Sequence, residues 1–161
     1  MEISFKRFNG AVLGQKRKGM KLFYSSLISA LLLAGVTAGY GQHKLVVKVK
    51  NIKQSEGTVR VALFNSEDSF LDKAFQTKSV KANGTEVSIE FTDLPAGEYG
   101  LSVFHDANDN GELDKNFVGI PKEGFGFGNN AMGTFGPPSF EKAKVKLDSA
   151  SLSHEITLKF M

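Results

Sequence analysis

Hydrophobic and polar residues alternate along most of the chain from Lys44 onward. In the first such segment Leu45, Val47 and Val49 alternate with Lys48 and Lys50. This period of two places one row of side chains against a core and the other in water, which is typical of a half-buried β-strand. The same alternation predicts strands at residues 45–49, 59–63, 87–91, 99–103, 143–147 and 156–160, with a weaker, polar edge strand at residues 76–81.

Turn-forming residues separate these runs. The sequences SEG, NG and PAG occupy residues 55–57, 83–84 and 95–97, between consecutive predicted strands. Short strands that each have one wet face fit two sheets packed against each other. We therefore predict an all-β fold, a single antiparallel β-sandwich of about seven strands.

The first 41 residues follow a different pattern. An apolar run from Leu27 to Val36 comes after a basic residue and is followed by small residues up to Gly41. This arrangement predicts a secretory signal peptide, and the apolar run is too short to span a membrane comfortably. We predict a true start at Met20, cleavage after Gly41, and a sandwich domain at residues 42–161 that is exported to the periplasm, cell surface or medium and has no transmembrane segment.

Removing this segment changes the charge of the protein. The whole chain has 20 Lys or Arg and 17 Asp or Glu, but residues 1–41 hold six of the basic residues and one of the acidic ones. The remaining 14 basic and 16 acidic residues give a net charge near −2. The basic charge of the precursor is thus no argument for nucleic-acid binding. The chain has no cysteine, so disulfides and thiolate metal sites are excluded.

The acidic loop, "HDANDNGELD" at residues 105–114, is the strongest chemical signal. Aligned on its first aspartate it matches the calcium loop of an EF-hand, with Gly111 at the sharp turn and Glu112 acting through its backbone carbonyl. The predicted metal ligands are Asp106, Asn108, Asn110, Glu112 and Asp114. Position 12 is Phe117 instead of the bidentate glutamate, so we expect weak Ca²⁺ binding, with a Kd of about 10⁻⁴ to 10⁻³ M.

Two other interpretations of this loop remain open. Asn, Asp and Gly also form polar turns that are capped by their own side-chain hydrogen bonds. A catalytic pair of carboxylates is disfavoured, because such pairs need a desolvated pocket that separates their pKa values. His105 and His154 fall in phase with core residues of their strands, and we interpret them as hydrogen-bonded histidines. The sequence accordingly predicts no catalytic residue and no enzyme.

Residues 117–140 show no period and are rich in glycine and phenylalanine. Connections of this length are usually functional or disordered, and the phenylalanines favour an ordered, lid-like loop pinned to the sandwich. This loop offers an alternative function, a carbohydrate- or peptide-binding module with exposed aromatic and amide groups. Its candidate ligand-binding residues are Phe125, Phe127, Asn129, Asn130 and Phe135.

Two stretches of the chain carry a family resemblance. The sequences "LPAGEYGLSVFHDANDNGELDKNFVGIPKEGFGFGNNA" and "FGPPSFEKAKVKL" closely resemble the family catalogued as domain of unknown function 2141 (DUF2141), found in secreted proteins of Bacteroidetes and other bacteria. The resemblance runs from about Leu45 to Phe160. It implies a secreted β-sandwich of immunoglobulin-like or transthyretin-like type and assigns no activity.

Together these patterns predict an exported, non-enzymatic β-sandwich module. In this hypothesis the acidic loop binds calcium and orders the adjacent loop at residues 117–140. The expected partner is a protein or glycan at the cell envelope, with no nucleic acid involved.

Overall fold

The computed structural model describes residues 42–161, and the predicted extension and signal peptide at residues 1–41 lie outside the described part. Residues 42–161 form eight strands, one 3-10 turn (Gly128–Asn130) and one short helix, α1 (Phe140–Ala143). The strands are β1 (His43–Lys50), β2 (Thr58–Phe64), β3 (Gln76–Lys81), β4 (Glu86–Leu94), β5 (Gly97–Asp106), β6 (Phe125–Phe127), β7 (Lys144–Leu147) and β8 (Ser151–Thr157).

The strands form two sheets. One has three strands in the order β4-β1-β8, and the other has five, with β3-β2-β5-β6 as neighbours and β7 also paired to β5. This arrangement confirms the predicted all-β sandwich. One pair corrects the antiparallel prediction, because β1 and β8 run parallel with Val47 opposite His154. The chain crosses from β7 in the five-stranded sheet to β8 in the other sheet. There β8 lies alongside β1 and runs in the same direction.

Alternate residues of the strands meet in one core between the sheets. Leu45, Val47 and Val49 of β1 are fully buried, and Leu101 and Val103 of β5 pack into the same cluster. Burying one such side chain contributes roughly 1.5 to 3 kcal/mol relative to leaving it in water. The period of two in the sequence therefore indicates which face of each strand packs against the opposite sheet.

The predicted PAG turn leads into a buried tyrosine. The Tyr99 hydroxyl donates a hydrogen bond to the backbone oxygen of Pro95 at 2.8 Å. Burial raises the pKa of this hydroxyl above its usual value, so the group stays protonated and keeps donating. The contact fixes the corner through which the chain enters β5.

Three elements differ from the sequence prediction. β6 lies inside the segment predicted to be a loop, Ala143 belongs to α1 instead of β7, and β8 begins earlier than predicted and ends at Thr157. The alternation continues beyond β8 because Leu158 is still fully buried, and its N–H donates to the oxygen of Lys50 at 3.0 Å. Hydrophobic period thus identified the buried side chains here but misplaced the strand.

Candidate functional site

The acidic loop begins where β5 leaves the five-stranded sheet. β5 pairs with β2 so that Arg60 lies opposite Phe104 and Thr58 lies opposite Asp106. Side chains alternate between the faces of a strand, so Phe104 and Asp106 project from the outer face, away from the core. Arg60 and Asp106 are diagonal neighbours on that face.

Asp106 is fully buried and is held by three donors. Its Oδ2 accepts hydrogen bonds from Arg60 Nε at 2.7 Å and from the Gly111 N–H at 2.9 Å, and its Oδ1 accepts one from the Asn110 N–H at 3.0 Å. Burial alone would raise the pKa of Asp106, but the hydrogen bonds from Arg60 and the two amides outweigh it and hold the pKa below its usual range. Asp106 is therefore an ionised anchor that curls the loop back on itself.

The other predicted ligands converge on Asp114. The Oδ1 atoms of Asn108 and Asn110 accept hydrogen bonds from the backbone N–H two residues further on, at 3.1 Å and 2.8 Å. Their Nδ2 groups donate to the two carboxylate oxygens of Asp114, at 2.8 Å and 3.2 Å. The structure thus brings the side chains of positions 1, 3, 5 and 9 to one side of the loop.

Two acidic residues of the loop do not join this group. Glu112 has an exposed side chain, and its backbone N–H is the donor to Asn110. Asp109 pairs with Lys81 of β3, with Nζ and Oδ2 2.6 Å apart. Hydrogen bonds from Lys81 and then from the Thr58 side chain lower the pKa of Asp109. Asp109 therefore fastens the loop to the neighbouring strands instead of contributing to the converging oxygens.

Glu123 is the residue that sequence reasoning missed. Its side chain is buried, its Oε1 accepts a hydrogen bond from the Ala107 N–H at 2.9 Å, and its Oε2 accepts one from the Asp114 N–H at 3.0 Å. One carboxylate therefore joins the two ends of the acidic loop. Glu123 lies in the segment that resembles the family, but no spacing rule connects it to the loop, because the connection depends on the path of the chain in between.

That path is a short hairpin, residues 114–122. The Lys122 N–H donates to the Asp114 oxygen at 2.8 Å, and Lys115 forms an isolated bridge with Pro121. At the tip Asn116 accepts hydrogen bonds from two backbone amides, and the side chain of Phe117 is 99% exposed. The segment predicted to be a lid thus starts as an ordered hairpin that continues from the acidic loop.

The five predicted ligand-binding residues separate into two groups. Phe125 and Phe127 lie on β6 with their ring centroids 6.1 Å apart, and Phe135 is fully exposed on the loop that follows. Asn129 and Asn130 lie elsewhere: Asn129 donates to the backbone oxygens of Lys142 and Lys144, and Asn130 accepts from the Thr157 N–H. The structure therefore groups the phenylalanines and uses both amides to hold the chain against neighbouring elements.

The phenylalanines line a groove of about 1030 Å³ on the outer face of the five-stranded sheet. Its floor includes Ser102 and Phe104 of β5 beside β6, and its two walls are the hairpin and the loop around Phe135. The other apolar lining residues are Leu71, Val103, Leu113, Val118, Ile120, Pro121, Met132, Pro137 and Met161. This groove begins immediately beside the acidic loop, because Leu113 belongs to both.

Both predicted histidines make hydrogen bonds within the fold. A ring nitrogen of His105, Nε2, lies 2.7 Å from the backbone oxygen of Glu56, and the ring is buried. His154 Nε2 accepts the Asn129 N–H at 2.9 Å, and burial lowers the pKa of His154 below its usual value. Within residues 42–161, no three histidine, aspartate or glutamate side chains are placed to hold a metal ion. The groups that face the Asp114 carboxylate are the Nδ2 groups of Asn108 and Asn110, whose Oδ1 atoms accept backbone N–H groups.

A comparison with protein families decides the relationship of this chain. The family described as "Uncharacterized protein conserved in bacteria (DUF2141)" matches residues 47–155. The chain belongs to this family. The match covers β1 through most of β8, so the acidic loop, the hairpin and the groove are all inside the DUF2141 region.

The other comparisons add no relative. Neither the search of curated proteins nor the search of solved structures gave a match. No helix within residues 42–161 has the length and apolar character needed to cross a membrane. Inferences about function therefore rest on the side chains of this DUF2141 domain.

Proposed function

We propose that this DUF2141 protein is an exported, non-enzymatic β-sandwich module whose acidic loop binds calcium and thereby fixes the neighbouring hairpin. The observation that carries the proposal is the convergence of Asp106, Asn108, Asn110 and Asp114, the residues at ligand positions 1, 3, 5 and 9. Alternate residues of a tightly curled loop direct their oxygens to one centre, which is how calcium loops supply six to eight oxygens to the ion.

The hydrogen bonds of the loop support calcium over a transition metal. Backbone amides donate to Asp106, Asn108 and Asn110, and each accepting oxygen keeps a second lone pair for an ion. All of these candidate ligand atoms are hard carboxylate or amide oxygens, which favour Ca²⁺ or Mg²⁺ over zinc or copper. Mg²⁺ demands a near-ideal octahedron, which a loop with amides already committed to backbone bonds satisfies poorly.

Arg60 makes the proposed site weak. Its guanidinium lies 2.7 Å from Asp106 Oδ2, so a cation at the loop meets a fixed positive charge next to its first ligand. Only two carboxylates remain to balance Ca²⁺, and affinity in such loops follows the number of charged ligands. We expect a Kd of about 10⁻⁴ to 10⁻³ M, the range of extracellular calcium modules.

Glu123 connects the proposed ion site to the hairpin. The backbone of Asp114 donates to Glu123 and accepts from Lys122, so a ligand that fixes Asp114 also fixes both strands of the hairpin. Leu113, which precedes Asp114 in the sequence, lines the groove. Calcium bound by Asp114 would therefore also fix the position of this part of the groove wall. This is the physical basis for the ordering role.

Calorimetric titration of the purified protein with CaCl₂, and with MgCl₂ for comparison, tests the calcium proposal. At 1 mM Ca²⁺ and a Kd near 10⁻⁴ M we expect stabilisation of about 1.4 kcal/mol, seen as a rise of roughly 5 °C in melting temperature. Asp114→Asn should remove most of this rise. Asp109→Asn, which changes the charge by the same amount outside the converging group, should leave it in place.

A second variant sharpens the test. Arg60→Gln removes the positive charge and retains a donor toward Asp106, so it should tighten Ca²⁺ binding several-fold while lowering the stability of the calcium-free protein. No heat and no rise in melting temperature at 5 mM Ca²⁺, in the wild type and in Arg60→Gln, would leave the loop as a polar turn stabilised by its own hydrogen bonds.

The non-enzymatic part of the proposal rests on how the carboxylates are engaged. Asp106 is paired with Arg60, Asp109 with Lys81, and Glu123 accepts two backbone amides. The donors to Asp106 and Asp109 lower the pKa of both carboxyls, whereas a general acid needs a raised pKa. The roles of these groups are therefore accounted for by loop structure.

Export is tested separately from calcium. The full chain expressed in a bacterium should be released from the cytoplasm with Gln42 as its new N-terminus, as determined by sequencing the processed protein. Retention of residues 1–41 would contradict export.

For the alternative of a carbohydrate or peptide ligand, the structure leaves the predicted aromatic residues at the groove but places the two predicted amides elsewhere. Phe125, Phe127 and Phe135 line the groove, but Asn129 and Asn130 bond to the backbone of α1, β7 and β8. Sugars are recognised by polar side chains around an aromatic face, so this division favours a more apolar ligand.

A further inference from the structure

The groove is large, concave and lined mostly by apolar residues. Its volume of about 1030 Å³ is at the upper end of the range for small-molecule sites. Phe104, Phe125 and Phe127 form the floor, and Ile120 and Phe135 stand on opposite walls. Val118, Ile120 and Phe135 at the groove are large hydrophobic residues that remain exposed, and exposed apolar residues grouped in this way are typical of a binding site.

Lys115 is the one groove-lining residue with a charged side chain. It lies on the hairpin, it is exposed, and no carboxylate of residues 42–161 forms a salt bridge with it. Near the hairpin, Asp114 accepts from the two asparagines and Glu123 accepts from backbone amides, whereas Glu112 is exposed. The groove therefore combines an apolar trough with one available positive charge at its edge.

The shape of the groove excludes a bound strand. A peptide that extends a sheet needs a free strand edge, but the floor here is a sheet face and the outer edge of Phe125 is already bridged to Lys159. Side chains on a sheet face offer apolar contact and few hydrogen bonds. A flexible hydrocarbon chain meets these conditions, since it needs contact area and no polar partner.

We propose that this groove binds a free single-chain amphiphile with one negative headgroup, such as a fatty carboxylate. The hydrocarbon chain lies on Phe104, Phe125 and Phe127, and the carboxylate pairs with Lys115. The proposal goes beyond calcium binding, because none of these four residues belongs to the converging group at Asp114.

Titration calorimetry with decanoate, in the presence of EDTA, tests the proposal independently of calcium. We expect saturable binding of one decanoate per protein, and octanoate should bind roughly tenfold more weakly because it buries two fewer methylenes. Decanol and decyltrimethylammonium have the same chain without the negative charge. Both should bind more weakly than decanoate, the cation most of all.

Matched variants assign the headgroup and the chain to their sites. Lys115→Glu should weaken decanoate about fivefold, reverse the preference toward decyltrimethylammonium and leave decanol unchanged. Lys122→Glu makes the same charge change on the hairpin outside the groove lining and should have little effect. Ser102→Trp fills the floor from an outward-facing, half-buried position and should abolish binding of all three probes while the circular dichroism spectrum stays native.

Three outcomes would overturn the proposal. Equal affinity for decanoate, decanol and decyltrimethylammonium would show that Lys115 does not select a negative headgroup. Absence of decanoate binding together with sedimentation on vesicles of anionic phospholipid would identify a membrane surface as the partner of the exposed phenylalanines. Absence of both would show that the groove binds neither. A failed calcium titration changes none of these results, because the amphiphile experiment is done in EDTA.

Discussion

The two faces of β5 carry opposite kinds of chemistry. On the inner face Leu101, Val103 and His105 are all buried against the core. On the outer face Ser102 and Phe104 are only half-buried, and Asp106 is buried through its ion pair with Arg60. Residues 101–106 therefore face a packed core on one side and the candidate sites on the other.

The difference shows how a sandwich separates stability from function. The inner face gains free energy by removing uniform apolar surface from water. The outer face instead holds one charged anchor, Asp106, and Phe104, which lines the groove beside Phe125 and Phe127 of β6. A change on the inner face should thus alter the free energy of unfolding, whereas a change on the outer face should alter binding.

Truncation on each face gives the largest expected effect. Leu101→Ala should lower the free energy of unfolding by about 3 kcal/mol, because it leaves a cavity in a fully buried cluster. Phe104→Ala removes a larger side chain but should lower it by only about 1 kcal/mol, since that ring is already half in contact with water. Urea unfolding of both variants measures the contrast. Equal losses would mean that the outer face is a second core and would remove the basis for a ligand groove.

A charge change on the outer face should have the next largest effect. Asp106→Asn keeps the shape of the side chain but replaces a carboxylate that accepts from Arg60 and Gly111 with a neutral amide, which should lower the free energy of unfolding by about 2 kcal/mol. Asp109→Asn loses only a solvent-exposed pair with Lys81 and should lower the free energy of unfolding far less. A loss for Asp109→Asn as large as that for Asp106→Asn would contradict the anchoring role of Asp106.

The fold could be predicted from sequence wherever hydrophobic period and burial coincide. Six of the predicted segments contain residues of the observed strands with the predicted face inward, as Leu45 and Val49 illustrate. β6 was not predicted, because Gly126 contributes no side chain to the alternation and packs its backbone against Ile156. The parallel pairing of β1 with β8 was also missed, since period says which face is buried and nothing about which strand is the neighbour.

The candidate site could be predicted only within one loop. The spacing of Asn108, Asn110 and Asp114 was sufficient to predict that their side chains lie close together, because contacts over a few residues follow from local backbone geometry. Metal binding by this loop stays a prediction. Arg60 and Glu123 could not be assigned in the same way. The first depends on the register between β2 and β5, and the second on the path of the whole hairpin.

Protonation of His154, at the edge of the core, should have the smallest effect on the free energy of unfolding. It is in phase with buried Ile156 but is only half-buried, and burial lowers its pKa below the ordinary value of 6.5 against the weaker, opposite influence of Glu155. A lowered pKa means that the unfolded chain takes up a proton first as the pH falls, so stability is complete above about pH 6.5 and declines below it. Solvent screening at a half-exposed ring keeps the loss under about 1 kcal/mol. Urea midpoints measured from pH 7.5 to 5.0 should fall in the wild type and stay flatter in His154→Gln, which can still accept the Asn129 N–H. The carboxylates with lowered pKa values, among them Asp106 and Glu155, lose their contribution only at more acidic pH, so a slope of equal size in both proteins would assign the pH dependence to a group other than His154.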